Sequence, residues 1–203
     1  MFHDFLISFV EIYNYTMQTT TIQPIEASSI KRIIEIGNKQ FGNGFITELE
    51  LLNIIKTPNK YGLVSITDNE ISGFVLASVC NSIEELNPII ISNHNWFANT
   101  YISKFPIAVF ESIGVCEKHT DLGIGKLLTI AILNITNKVS KTTLSMVWEH
   151  QNGKSLSHIL DQCGLKMQIK MPNYWHEDSI YNNYDCKYCG TPPCNCSMMV
   201  YSD

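Results

Sequence analysis

The chain has 203 residues, 45% of them hydrophobic, which is enough to bury the core of one ordinary domain without disulfide staples. The net charge is −5 and Arg32 is the only arginine, so the basic stripe typical of nucleic-acid binding proteins is missing and no nucleic-acid partner is expected. No run of 18 apolar residues occurs, which argues against a membrane span and a membrane partner.

Residues 1–17 are apolar but differ from an export signal. They contain Asp4 and Glu11 and no early basic residue, so we reject a signal peptide. We interpret this segment as an N-terminal extension and keep Met17 as an alternative start. We therefore expect a cytoplasmic protein, in which cysteine thiols stay reduced.

Hydrophobic periodicity, caps and turn residues define the predicted elements of the first half of the chain. Thr47 and Glu50 have the spacing of a capping box, which marks the start of a helix. Asp68-Asn69 separates two β-rich runs and therefore predicts a hairpin turn. In order, we predict a strand over Gln18–Ile25, a helix after Ser28 or Ser29, a helix from Thr47 to Pro58, a hairpin of Tyr61–Thr67 and Ile71–Cys80, and an irregular polar loop over 81–104.

The second half of the chain is predicted to alternate strands with helices. Gly164 ends a short helix, because glycine readily adopts the left-handed backbone of a helix cap. In order, we predict a strand over Phe105–Val115, a helix over Gly123–Ser140, a strand over Thr142–Glu149, a short helix at 156–163, and strands over Met167–Met171 and Ser197–Tyr201. This order predicts a mixed α/β fold with a mostly antiparallel, partly parallel sheet flanked by helices.

Four cysteines are concentrated near the C-terminus: Cys186, Cys189, Cys194 and Cys196. In a reducing compartment, such short spacings favour a metal over disulfides, and a Cys194–Cys196 disulfide would close a strained ring. Four thiolates complete the tetrahedron around Zn²⁺ and leave no position for water. We therefore predict a structural zinc loop at 184–196, between the last two strands, with an iron–sulfur cluster as an alternative because it uses the same ligands.

A glycine-rich turn follows the strand that ends at Val115. Glycines allow a ligand to approach the backbone, and the free amides at a helix N-terminus attract phosphate. Gly123 and Gly125 stand where the next predicted helix begins. A purely structural turn explains two glycines equally well, so this motif alone does not decide between a turn and a phosphate site.

The chain from about Ile22 to its end resembles the GNAT acetyltransferase superfamily. Val115 lies eight residues before Gly123, as in that family's [Arg/Gln]-x-x-Gly-x-Gly/Ala loop, and Gly125 fits the last position of the loop. Asn152, between a strand and a helix that ends in Gly164-Leu165, resembles the family's Asn…Gly-Phe segment. The resemblance implies a GNAT-like domain over 18–203 that includes the cysteine loop and binds acetyl-CoA.

The same resemblance implies which residues bind acetyl-CoA. Backbone amides of the loop would hold the pyrophosphate, Val115 would hydrogen-bond the pantetheine arm, and Asn152 would contact the cofactor further along. The implied set is Val115, Leu122, Gly123, Ile124, Gly125, Lys126 and Asn152. Two positions depart from the family, because Thr120 replaces the usual Arg or Gln and Leu160 replaces a frequent tyrosine that protonates the leaving thiolate.

Acetyl transfer to an amine needs a general base within reach of the amine. Glu111 is the first candidate, since strand parity places it on the side of Val109, Ile113 and Val115, where a carboxylate is costly unless it is used or paired. A salt-bridged or edge-exposed Glu is the alternative. With Leu160 unable to donate a proton, the acid would have to be another group, such as Tyr174 or water, or the reaction uses none.

Other residues are weaker candidates for the acceptor side. They are Glu149, His150, His176, Asp178, and the aromatic pairs Trp96-Phe97 and Tyr174-Trp175, which suit packing at least as well. We predict an N-acetyltransferase that moves an acetyl group from acetyl-CoA to a small-molecule or peptide amine. The alternative is a non-catalytic acyl-CoA-binding or protein-interaction module with a structural zinc loop.

Overall fold

The computed structural model describes residues 19–149 and 156–203. The predicted N-terminal extension, His150 and Asn152 lie outside these ranges. Within them, none of the helices has the length and apolar character needed to cross a bilayer.

The described residues form one seven-stranded sheet with the order β1-β2-β3-β4-β5-β7-β6. Neighbouring strands are antiparallel except β4 and β5, which are parallel. The strands are β1 Thr20–Pro24, β2 Lys60–Thr67, β3 Glu70–Cys80, β4 Ile107–Val115, β5 Thr142–Glu149, β6 Lys166–Met171 and β7 Ser197–Ser202. The predicted mixed, mostly antiparallel sheet is therefore confirmed, and the cysteine loop lies between β6 and β7.

Helices cover both faces of this sheet. They are α1 Ile30–Phe41, α2 Glu48–Lys56, α3 Ile83–Leu86, α4 His94–Tyr101, α5 Ile124–Thr136, α6 Ser157–Gln162 and α7 His176–Tyr181. The predicted capping box is confirmed, since the Thr47 side chain accepts from the Glu50 amide at 3.2 Å. The short helix α7 has no counterpart in the prediction.

The predicted irregular loop over 81–104 is wrong, because α3, a 3-10 turn at Asn87–Ile89 and α4 together occupy most of it. Phe97 and Tyr101 are fully buried, and they pack with Ile107, Leu144 and neighbouring apolar residues. The Trp96 ring meets the Phe97 ring edge-to-face at 5.0 Å. These aromatics are packing anchors, so the segment is ordered by its tertiary core.

Alternation along β3 divides the core between the two faces. Phe74 and Leu76 pack against α1 and α2, whereas Val75 and Ala77 pack against α5. All four side chains are at most 2% exposed. The period of two in the sequence thus builds a sheet with helices on both sides.

A bulge in β4 changes the predicted side-chain parity. Leu76 of β3 pairs with Ser112 while Ala77 pairs with Phe110, so Glu111 is an extra residue without a partner on β3. As a result, Val109 belongs to the cluster around α4, whereas Ile113 packs with α5. The prediction that Glu111 shares one side with Val109, Ile113 and Val115 is therefore wrong.

Candidate active site

The parallel strands β4 and β5 separate beyond the bulge. Their pairing runs only from Ile107–Thr142 to Phe110–Ser145. Beyond it, Met146–Glu149 continue to pair with β7 on the other edge of β5. The sheet therefore opens on one side at its centre, and a large cavity lies at the opening.

This cavity has a volume of about 950 Å³. Most of its wall comes from the loop 40–45 after α1, β4, the turn before α5, β5, the start of α6, and the loop 184–188, and Ile91, Trp175, Asp178 and Cys194 complete it. Glu111, Val115, Gly123, Ile124, Gly125 and Lys126 all line it, so the structure brings these predicted site residues together. Leu122 is 44% exposed and does not line it.

The turn before α5 presents free backbone amides to the cavity. The first hydrogen bond of α5 runs from the Leu127 amide to the Gly123 carbonyl at 3.0 Å, which leaves the amides of Ile124, Gly125 and Lys126 without an intrahelical partner. Gly123 has φ +76°, and a side chain would be strained there. The turn therefore fits an anionic ligand such as a phosphate.

His119 adds an unsatisfied donor or acceptor at the same turn. It is 4% exposed, it lines the cavity, and its Nδ1 atom has no hydrogen-bond partner among the described residues. A buried polar atom without a partner is costly unless a ligand or water completes it. The Thr120 hydroxyl, in contrast, donates to the Glu117 carbonyl at 2.9 Å and serves the turn itself.

Val115 is held by a side chain from α1. Gln40 Nε2 donates to the Val115 carbonyl at 2.8 Å. Because Gln40 also lines the cavity, this contact fixes the end of β4 against α1 where the strand would meet a ligand.

Ser145 is a site residue that the sequence interpretation missed. It faces Phe110 in the last pair before β4 and β5 separate, and it lines the cavity. The residue is 1% exposed and its hydroxyl has no partner in the described structure. A serine in an alternating strand gives no signal of its own, because only the separation of the strands places it on the cavity wall.

The structure does not support Tyr174 as a general acid. Its hydroxyl accepts hydrogen bonds from the amides of Ile91 at 3.0 Å and Ser92 at 3.3 Å, and it is absent from the cavity wall. Tyr174 therefore anchors the segment between α3 and α4. Its neighbour Trp175 does line the cavity, whereas Glu149 pairs with Lys170 on β6.

The four predicted metal ligands form one compact cluster. Their Sγ atoms lie within 4.8 Å of one another, with Cys186–Cys196 at 3.8 Å and Cys189–Cys196 at 3.5 Å. Cys189 is exposed and the other three are buried. A zinc–sulfur distance of about 2.3 Å gives a tetrahedron edge of about 3.8 Å, and the Cys186–Cys196 and Cys189–Cys196 distances are close to that edge.

Backbone amides support the cluster as they support metal-bound thiolates. The Cys189 amide donates to Cys186 Sγ and the Asn195 amide donates to Cys189 Sγ, both at 3.4 Å. Cys186 and Gly190 exchange two backbone hydrogen bonds of 2.8 Å, and Gly190 has φ +80°. These contacts fix the Cys186 and Cys189 side chains from outside the cluster.

The cysteine loop is also a wall of the cavity. Cys186 and Cys194 belong to the cluster and also line the cavity. Trp148 and Trp175 pack against the cluster. Lys187 donates to the carbonyls of Lys39 and Gln40, the latter at 3.0 Å, at the end of α1. The loop therefore connects the cysteine cluster to the helix that holds Val115.

Solved structures with the same fold include acetyltransferases. Arabidopsis thaliana NAA60 in complex with acetyl-CoA has a TM-score of 0.64 and 15% identity, over 91% of this chain and 98% of that chain. The ribosomal-protein-S18-alanine N-acetyltransferase from Escherichia coli has a TM-score of 0.59 and 11% identity, over 90% and 92% of the two chains.

A GNAT superfamily phosphinothricin acetyltransferase from Sinorhizobium meliloti, in complex with AcCoA, has a TM-score of 0.58 and 14% identity, over 91% and 87%. No family model and no curated protein matches the sequence. At these identities the likeness shows the fold: the chain has the GNAT fold over nearly all of its length.

Proposed function

We propose that this protein is an N-acetyltransferase that moves the acetyl group of acetyl-CoA to an amine. The opening between β4 and β5 carries this proposal, because it joins a turn of free amides to a wall that contains the half-buried Glu111 and the buried Ser145. Proteins of the same fold bind acetyl-CoA in the structures of NAA60 and the phosphinothricin acetyltransferase. The resemblance seen in the sequence supports the same conclusion.

The residues present fit acetyl-CoA at one end of the cavity. Amides of Ile124, Gly125 and Lys126 and the unsatisfied His119 would receive the pyrophosphate, and Val115 would meet the pantetheine arm. Bound acetyl-CoA supplies the acetyl group as a thioester. We keep Leu122 and Asn152 in the proposed set as backbone and side-chain contacts, although Leu122 lies off the wall and Asn152 is outside the described residues.

Glu111 is the proposed general base. The amine attacks the acetyl carbonyl carbon, the new nitrogen–carbon bond forms, the carbon–sulfur bond breaks, and one amine proton passes to Glu111 directly or through water. The departing thiolate takes a proton from solvent, because Leu160 is fully buried and apolar and Tyr174 is committed elsewhere. Ser145 lies where its hydroxyl would donate to the reacting group.

We also propose that the cysteine cluster holds a structural Zn²⁺. All four ligands are thiolate donors from the chain, and their spacing fits one ion. Such a site can contribute on the order of 10 kcal/mol to folding in small zinc peptides, which is ample for a loop with little apolar core of its own. The ion would hold the acceptor-side wall in place and take no part in the transfer.

A release assay for CoA with a panel of amines tests the proposed function. Glu111→Gln is expected to lower kcat about a hundredfold, as loss of a general base does, with KM for acetyl-CoA unchanged. Glu177→Gln is the matched control, since its side chain is 94% exposed and lies off the cavity. Full activity of Glu111→Gln would remove Glu111 from the mechanism.

The buried Leu160 favours one second candidate, a module that binds acyl-CoA without transferring the acyl group. This candidate predicts binding of acetyl-CoA with no CoA release from any amine in the panel. Turnover above the uncatalysed rate with one amine would exclude it.

A further inference from the structure

One wall of the cavity concentrates negative charge. Asp178 of α7 and Asp185 of the cysteine loop line this wall, and Glu111 lines the cavity from β4. Asp178 is held in place, since its two oxygens accept from Asn182 Nδ2 at 2.8 Å and from the Tyr184 hydroxyl at 2.7 Å. A carboxylate fixed in this way is a ready partner for a cation.

Aromatic rings line the same cavity as these carboxylates. Trp148 meets Trp175 at 6.3 Å and Tyr188 at 5.0 Å between ring centroids, with interplanar angles of 68° and 67°. All three residues line the cavity, as does Tyr184. The electron-rich faces of such rings attract ammonium groups, most strongly where water is excluded.

The basic side chains that line this cavity either donate to backbone carbonyls or belong to the turn before α5. Among the described residues of the lining they are His119, Lys126 and Lys187. Lys187 donates to two carbonyls at the end of α1, and the other two belong to the turn at α5. The acidic wall is therefore left with more negative than positive charge.

Ser145 independently indicates a ligand in this cavity. Its hydroxyl is buried and lacks a partner among the described residues. Ser145 lies on β5, the strand of Trp148, and faces β4, the strand of Glu111, at the last pair before the two strands separate. Ser145, the turn before α5 and the two aspartates all line this one cavity. The cavity thus has two polar features that a ligand could contact: the carboxylates of Asp178 and Asp185, and the unpartnered Ser145 hydroxyl.

We propose that the acceptor is a diamine or polyamine. One amino group is acetylated near Glu111, while a second, protonated amino group lies between the carboxylates of Asp178 and Asp185 and the aromatic rings. The proposal rests on the acetyl transfer proposed above and names its acceptor class. The reacting nitrogen gives up one proton to Glu111, and the second ammonium keeps its charge throughout.

Two amines of equal carbon chain isolate the second charge. 1,4-Diaminobutane and n-butylamine offer the same primary amine, so their kcat/KM ratio measures what the second ammonium contributes. We expect 1,4-diaminobutane to exceed n-butylamine at least tenfold, a preference that weakens as salt is raised. Equal kcat/KM for the two amines would overturn the diamine proposal and leave the acetyltransferase proposal standing.

The variant Asp185→Asn tests whether the acidic wall causes the preference for 1,4-diaminobutane over n-butylamine. Asp185 is exposed at the surface of its loop, so the variant is expected to fold, and its KM for 1,4-diaminobutane should rise about tenfold. KM for n-butylamine and for acetyl-CoA should not change, and Glu177→Gln should behave as the wild type. An equal rise for both amines would overturn the role of the wall.

A peptide with an N-terminal alanine and no basic residue completes the panel. The Escherichia coli protein of the same fold is named for an alanine of a ribosomal protein, so this probe represents the competing acceptor class. Faster acetylation of the peptide than of any diamine would overturn the proposal while supporting acetyl transfer. Absence of CoA release with every acceptor would overturn both.

Discussion

The Ser145 hydroxyl has no hydrogen-bond partner among the described residues, and this one atom indicates a ligand in the cavity. This hydroxyl is buried without a partner where two strands separate, a position that costs free energy unless a ligand completes it. By contrast, the buried hydroxyls of Ser65 and Ser72 bond to each other at 2.8 Å. Ser145 is thus poised for the occupant of the cavity, whereas Ser65 and Ser72 serve the sheet.

We predict that Ser145→Ala lowers kcat of acetyl transfer about tenfold and leaves KM for acetyl-CoA unchanged. The reason is the loss of one hydrogen bond made only to the reacting group, which is worth about 1.4 kcal/mol for a tenfold effect. Steady-state kinetics with saturating acceptor measures it. Ser65→Ala is the control with an intact cavity, and an unchanged kcat for Ser145→Ala would exclude a role in transfer.

At the scale of elements, hydrogen bonds from Lys187 join the cysteine loop to the end of α1. Lys187 donates to carbonyls at the end of α1, and Gln40 of α1 donates to Val115 of β4. A cation near a helix C-terminus also interacts favourably with the helix dipole. This chain of contacts links the cysteine cluster to the end of β4.

Lys187→Met tests this link, because it keeps the apolar stem and removes the donor. We expect metal content to stay the same, while KM for the acceptor rises severalfold because the loop is less tightly held against α1. Lys31→Met is the matched control, since Lys31 is exposed on α1 and absent from the cavity wall. Loss of metal from Lys187→Met would mean that the cluster itself depends on the contact.

Elements that begin or end at a short sequence motif could be predicted from the sequence. Elements that are ordered by contacts with distant residues could not. The capping box at Thr47 and the glycine turn at Gly123 are local, and both lie where the sequence indicated. The helix α4 depends on burial of Phe97 and Tyr101 against distant strands, so its polar sequence suggested a loop. Short helices gain their stability mostly from such packing.

The candidate site divides in the same way. The four cysteines and the glycine turn are short motifs that can be recognised from their spacing in the sequence. In the structure, the residues of each motif lie together. The bulge at Glu111 inserts one residue without any sequence signal, which is why the parity prediction for that strand failed. Ser145 and the acidic wall are assembled from separate elements, so they emerge only from the fold.

At the scale of the whole molecule, we predict one zinc ion per chain with a structural role. Metal analysis of the purified protein is expected to give zinc and not iron, and a chelator or Cys189→Ser is expected to lower the melting temperature by several degrees. Cys163→Ser is the control, since Cys163 is half-buried and lies outside the cluster. Full stability after complete removal of metal would contradict the structural role.

We propose that the opening between β4 and β5 binds acetyl-CoA through the turn before α5. Isothermal titration of acetyl-CoA into the wild type, Gly123→Asp and Gly164→Asp tests it most directly. Both glycines have positive φ, +76° and +92°, with open space around them, so the two variants carry the same added charge and similar backbone strain. We predict that Gly164→Asp binds like the wild type and that Gly123→Asp loses affinity at least a hundredfold. Equal affinity of all three proteins, or no binding by the wild type, would contradict the account.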